Sequence, residues 1–399
     1  MENKKKTWNL AISLAVIAMM LPGVMTDVWD FISPAKSLEE FEPVKVAYTD
    51  SSLIYIIAFS PDRNTVVTGS SGYLKFWNIT AAAHEYKRYS YVNDGNGFSL
   101  DSRQPYPYRI VSDLEFSQSG KYFLSVSHDD DGWPSVNGPE GSYLTIYTEH
   151  PHSDYTSKEL RSHQINDTFI KDCAFSPDES TYVACTEMIS NPEKCVLTFW
   201  DVKSGDIINS ITSDDYEPTS IAFTPNGKYL VVSFDNSLNP DRIVVFDIET
   251  GEIQKIINEK AVSHLQFSDD GTIFAAGSTY RSEVIVWNGT SYEEMHRLQG
   301  LDLPPDSTAL SSDGKYVMGM DFRRLIIWDT DSKRKIVSSR HLKIDYISSF
   351  KAGSFSDDGK YIAVGACTPS DSKYSNPHLN PSGMVFVYDF EEILESYYS

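Results

Sequence analysis

Residues 264–288 read HLQFSDDGTIFAAGSTYRSEVIVWN, and the order of residue types in this stretch decides the fold. Phe267 closes a short apolar run, and Ser268, Asp269, Asp270 and Gly271 then supply the short polar side chains and the permissive glycine that a tight turn needs. Residues 272–277 and 284–287 follow as two more short runs of β-forming residues, read as half-buried strands with a period of two. The same turn recurs as AFSPDR from Ala58, EFSQSG from Glu115, AFSPDE from Ala174, AFTPNG from Ala222, ALSSDG from Ala309 and SFSDDG from Ser354. With Phe59, Phe116, Phe175, Phe223, Phe267, Leu310 and Phe355 as markers, the steps are 57, 59, 48, 44, 43 and 45 residues. A period of that size with short strands predicts a β-propeller rather than a helical array, and the two long steps predict insertions.

Each unit reads as strand a into the turn, strand b after it, strand c ending in an aromatic, and an outer strand d. The strand-c endings are Trp77-Asn78, Tyr147-Thr148, Trp200-Asp201, Phe246-Asp247, Trp287-Asn288, Trp328-Asp329 and Tyr388-Asp389. These turns, endings and spacings resemble the WD-repeat propellers, in a divergent WD-like or TolB-like form. The Gly-His pair of that family is missing; Ser162-His163 is its nearest echo, and Asp321 sits where a tight turn is expected. The predicted fold is therefore all-β, a seven-bladed propeller of four-stranded antiparallel blades over residues 43–390. The last unit lacks an outer strand, and residues 43–49, PVKVAYT, alternate Val44, Val46 and Tyr48 and are expected to close blade 7. Residues 391–399 form a short amphipathic tail.

Ahead of the propeller, residues 1–7 are basic, with Lys4, Lys5 and Lys6, and residues 8–25, WNLAISLAVIAMMLPGVM, carry no charge. That is the order of a signal peptide or a membrane anchor helix, and both readings fit a stretch this short. Residues 26–42 read as a linker. The expectation is a propeller outside the cytoplasm, either anchored at the membrane or secreted after cleavage. A net charge of -22, from 34 basic and 56 acidic residues, repels a phosphate backbone and argues against nucleic acid. The partners expected are a protein, peptide or glycan, and the membrane through the amino-terminal segment, with the chain a monomer or part of a larger complex.

In this strand order b-to-c and d-to-a links emerge on one face, and a-to-b and c-to-d turns on the other. The long excursions, residues 93–109, 127–142, 149–169, 186–194, 235–241 and 368–383, are all expected on the first face, with tight turns opposite. Long loops on a rigid scaffold commonly carry function. The binding candidates are Phe98, Arg103, Tyr106 and Tyr108 in the first loop, Asp129, Asp130, Asp131 and Trp133 in the second, and Tyr374 and His378 in the last. Aromatic and arginine side chains are the usual interface anchors. The acidic triplet could attract calcium, but Trp133 and Pro134 stand where a calcium loop needs a ligand and a glycine. A solvated acidic loop with no cofactor is the simpler reading.

Three residues before the markers lie Ile56, Asp113, Asp172, Ser220, His264, Ser307 and Ala352. Asp113, Asp172 and His264 could meet at the channel mouth as a metal site, or serve as acid and base in a lactonase-like hydrolase; blade-packing hydrogen bonds explain them equally well. No nucleophile elbow, HExxH or phosphate loop occurs. The spacing of Cys185 and Cys195 permits a disulfide across a loop base, and buried thiols fit as well. A non-catalytic binding scaffold is the favoured reading.

Overall fold

The computed structural model describes residues 34–48, 54–61, 65–70, 73–79, 98–99, 109–129, 141–148, 158–166, 168–188, 194–213, 217–235, 242–340, 349–368 and 382–399. They form seven four-stranded antiparallel sheets. Blades 1 to 6 run in chain order over residues 54–99, 109–166, 168–213, 218–257, 262–299 and 307–340. Blade 7 takes three strands from residues 349–389 and its fourth from Lys45–Tyr48, which pairs antiparallel with Ser382–Asp389. All seven turns between the first and second strands are five residues long. The chain is an all-β seven-bladed propeller.

The core is a ring of seven apolar clusters, and each cluster fills the seam between two neighbouring blades. This arrangement corrects the half-buried reading of the third strands. In Glu283–Asn288 every residue except the last is buried, because one sheet face meets the blade before and the other meets the blade after. Strands buried on both faces read as continuous apolar runs rather than as an alternation. The aromatic ending then stacks inside its own sheet, as Trp287 does on Phe274 at 4.7 Å between ring centroids.

Six of the seven inner strands carry a β-bulge, with one extra residue set against the second strand. The extra residue is Tyr55, Ser112, Lys171, Thr219 or Lys351 in five of them. A bulge re-aims a side chain and frees a backbone N–H from the ladder. Both effects bear on the site described below.

Residues 34–42, the described part of the stretch read as linker, belong to the fold. Lys36 forms a parallel bridge to Val337 on the outer strand of blade 6, donating to the Ile336 carbonyl at 2.8 Å and accepting from the Ser338 N–H at 2.8 Å. Leu38 then drops, fully buried, into the cluster between blades 6 and 7. The carboxy-terminal tail is an α-helix, Phe390–Tyr398, capped by Asp389, and it buries Phe390, Ile393 and Tyr397 in that same cluster.

The expected division of loops between the faces needs correction in two blades. The outer strand of blade 1 is Phe98–Ser99, inside the stretch read as a d-to-a loop, so the residues before it belong to the c-to-d connection; residues 80–97 lie outside the described residues. The outer strand of blade 2 is Lys158–Asn166, with one residue between it and blade 3, so the excursion before it is the c-to-d connection rather than a d-to-a link; residues 149–157 lie outside the described residues. The strand ends that flank residues 130–140, 189–193, 236–241 and 369–381 stand at the loop-rich face, and those residues themselves lie outside the described residues. Among the described residues no helix is long and apolar enough to cross a membrane. Residues 8–25 lie outside the described residues.

Candidate functional site

The inner wall of the ring is where the enzymatic alternative would have to stand. Asp113 Oδ2 accepts the Cys173 N–H of the next blade at 3.0 Å, and Asp172 Oδ2 accepts the Ser220 hydroxyl at 2.7 Å and the Ile221 N–H at 2.8 Å. Ser220 Oγ in turn accepts the Leu265 N–H at 2.9 Å, Gln266 Oε1 the Leu310 N–H at 2.8 Å, and Ser307 Oγ the Gly353 N–H at 3.3 Å. Side chains from blades 2 to 6 thus each hold a backbone donor of the following blade, and Cys173, Ile221, Leu265 and Gly353 are donors at or just after the bulges. A buried N–H left unpaired would cost about 1–3 kcal/mol, so the belt is a structural necessity of the bulged strands.

This accounts for Asp113 and Asp172 without chemistry. Burial, followed by the neighbouring charge of Asp113, holds the Asp172 carboxyl well above the usual carboxylate range, and burial pushes Glu115 up to about 8. Shifts of this kind mark active sites but also arise in packed networks. His264 sits at a left-handed backbone angle of +56°, its Nδ1 is buried without a hydrogen-bond partner, and burial lowers its pKa. Among the described residues no three His, Cys, Asp or Glu side chains are grouped so as to hold a metal. Asp113 and Asp172 therefore belong to a blade-stitching belt, His264 stands outside it, and the described residues group no metal centre from the three.

The cysteine pair is corrected too. The register sets Cys185 opposite Leu197 and Cys195 opposite Glu187, so the two are not cross-strand neighbours. Both are fully buried thiols rather than a disulfide.

On the loop-rich face the structure supplies candidates that the sequence reading passed over. Tyr55, Phe169, Tyr280 and Phe322 are exposed by 38%, 46%, 49% and 44%, which is unusual for aromatic side chains in a chain with this much buried core. Tyr55 is the bulge residue of blade 1 and Phe169 the second residue of the inner strand of blade 3, so both stand at the loop-face end of the ring. Tyr280 and Phe322 lie in the b-to-c links of blades 5 and 6. The Tyr280 hydroxyl donates to Asp235 of blade 4 at 2.7 Å, and Lys260 Nζ lies 5.0 Å from its ring centre. Lys351, a bulge residue, lies 5.2 Å over the Phe322 ring. Such cation–ring contacts are attractive, about 0.5–1 kcal/mol at exposed sites.

Two buried networks fix these loops. The Asp321 carboxylate accepts the N–H groups of Asp302, Leu303, Arg323 and Arg324 at 2.6 to 2.9 Å, so one fully buried side chain locks two loop-face links of blades 5 and 6. His128 pairs with Ser112 at 2.9 Å and with Ser142 at 2.8 Å, and burial followed by the Lys171 charge lowers its pKa to about 4. The neutral ring sits 5.8 Å from Phe169.

Of the binding residues read from sequence, Phe98 forms part of the blade 1 outer strand opposite Leu74, and Asp129 ends the second strand of blade 2 opposite Arg109. Arg103, Tyr106, Tyr108, Asp130, Asp131, Trp133, Tyr374 and His378 lie outside the described residues. Tyr55 has no sequence signal because a one-residue bulge cannot be read from the residue pattern, and Tyr280 and Phe322 stand in links too short for loop length to single out.

Residues 41–78 match the family model of the WD domain, G-beta repeat. The match spans the closing strand of blade 7 and the first three strands of blade 1, so the sequence unit straddles two blades. Within it the Trp77 indole donates to the Thr68 hydroxyl at 3.1 Å, a third-strand tryptophan tied to a second-strand hydroxyl. His163 echoes the missing Gly-His pair, stacking on Trp200 at 5.4 Å and bonding the Tyr182 hydroxyl at 2.7 Å. Seven four-stranded blades with one WD-repeat match at the point of closure support a propeller of the WD-repeat kind. No curated protein matches the chain.

Proposed function

We propose that the chain is a non-catalytic scaffold that binds a protein or peptide on its loop-rich face, held outside the cytoplasm by residues 8–25. The fold fits protein binding, and one observation carries the choice of face: Tyr55, Phe169, Tyr280 and Phe322 all project from it. Exposed aromatics set in a frame of lysines and carboxylates offer large, rigid contact area, the usual anatomy of an interface centre. The location rests on the lysine-flanked apolar stretch alone. Glycans also stack on aromatic rings, and they are the second ligand class to assay.

The test is cross-linked capture from native membranes with full-length chain, comparing wild type with the Tyr280→Ala, Phe322→Ala double variant. The partner bands are expected to weaken at least tenfold in the variant while its thermal midpoint shifts little, since both rings are exposed. Equal capture by both proteins would reject the loop-rich face. Release of the chain from membranes by alkaline carbonate would reject the anchor without touching the interface.

A further inference from the structure

The turn face shows the same groove twice, once filled and once open. Between blades 6 and 7 the carboxy-terminal helix closes it: the Phe390 ring packs edge-on against Tyr316 at 5.2 Å and against Phe355 at 5.5 Å, and Ile393 and Tyr397 follow into the seam. Tyr316 is the residue after the blade 6 turn, Phe355 the marker aromatic of blade 7, and Phe390 the residue after the third strand of blade 7. At the seam of blades 3 and 4 the equivalent positions are Thr181, Phe223 and Ile248.

Two of these three are smaller than their counterparts, and the chain after Ile248 turns back into an outer strand rather than a helix. A groove of about 770 Å³ opens there, lined by Thr181, Phe199, Ile208, Phe223, Pro225 and Ile248. Its size is that of a ligand-binding cleft. Tyrosine occupies the position of Thr181 in blades 2, 4, 6 and 7, as Tyr122, Tyr229, Tyr316 and Tyr361, whereas blades 1 and 5 carry Thr65 and Ile273, so blade 3 is one of three blades without the ring. Ile207 and Ile208 beside the groove are 64% and 55% exposed, an apolar pair left in water. The rim carries the carboxylates of Asp178 and Glu249.

We propose that this turn-face groove between blades 3 and 4 docks an amphipathic helix of a partner protein, apolar along one stripe and basic on the other. The occupant is argued from the molecule's own solution to the same seam: side chains at the spacing of Phe390, Ile393 and Tyr397 fit between two blades at this place. A basic polar face complements the rim carboxylates and the charge of -22. The groove lies on the opposite face from the proposed loop-face interface, so the scaffold would hold two partners at once.

The probe is a fluorescent, helix-stapled peptide of residues 389–399 carrying Glu391→Lys, Glu392→Lys and Glu395→Lys, titrated into full-length chain in detergent and followed by anisotropy. Saturable binding is expected, at least tenfold tighter than for the unaltered acidic peptide. Thr181→Tyr, which installs the residue of the four other blades, should weaken it at least tenfold with the thermal midpoint unchanged. Ile208→Asp at an exposed position gives an independent reading if that variant misfolds. Absence of saturation, no advantage for the basic peptide, or undiminished binding to both variants, as when the peptide exchanges with the native helix at blades 6 and 7, overturns the proposal.

Discussion

Glu179 shows how one residue can trade backbone strain for a contact between blades. Its equivalents Gly120, Gly227, Gly271, Gly314 and Gly359 turn with φ between +68° and +72°, a region that costs a side chain about 1 kcal/mol. Glu179 adopts +57° all the same, and its carboxylate reaches back to blade 2 to accept the Ser119 N–H and, at 2.8 Å, the Ser119 hydroxyl. Glu179→Ala keeps the strain and loses the clamp, so it should cost about 1–2 kcal/mol in chemical denaturation. Glu179→Gly relieves the strain that the lost clamp had offset, and should come within about 0.5 kcal/mol of wild type. Equal losses in the two variants would show that the turn is not strained. The departure from glycine is visible in AFSPDE, but its reason is not, because Ser119 lies 60 residues upstream in the chain. His264 is the opposite case: its place before the marker suggested chemistry, and the bulge that sets its neighbours leaves no trace in the residue pattern.

At the scale of elements, the strands that pack between blades announce themselves and the outer ones do not. The third strands are long apolar runs because both of their faces are buried. The outer strand Ile253–Ile257 buries almost nothing, so burial places no pattern on its sequence. For that reason a two-residue outer strand at Phe98–Ser99 falls inside a stretch that the residue pattern presents as loop. The strap of residues 34–48 was half legible: alternation marked the closing strand, whereas Leu38 looks like any leucine in an acidic stretch. Leu38 is fully buried where the strap and both blades 6 and 7 meet, and Leu38→Ala should destabilise the chain by about 2–5 kcal/mol. A urea midpoint equal to that of wild type would mean the strap is decoration on a ring that closes without it.

The molecule as a whole carries its acidity unevenly, with Asp113, Glu115 and Asp172 placed around the Cys173 thiol inside the ring. Glu115 holds its proton up to about pH 8 when folded, against an ordinary value of 4.5 in the unfolded chain. As pH rises through that window the unfolded chain releases a proton the folded chain still binds, so this contribution to stability is full below pH 4.5 and fades towards pH 8. His128, with its pKa lowered to about 4, acts in the other direction, favouring the folded state at higher pH. The difference between wild type and Glu115→Gln isolates the first effect: the variant's thermal midpoint should gain on that of wild type steadily from pH 5 to pH 8. Parallel curves would place the Glu115 carboxyl in free exchange with water. Ring closure by Lys45–Tyr48 also sets a clock. The first strand to leave the ribosome pairs with one of the last, about 340 residues later, and synthesis at about 5–20 residues per second leaves it waiting roughly 20 to 70 s. Throughout that interval blade 7 does not exist, both edges of the growing arc are bare, and the nascent chain depends on whatever covers an open strand until Ser382–Asp389 arrives.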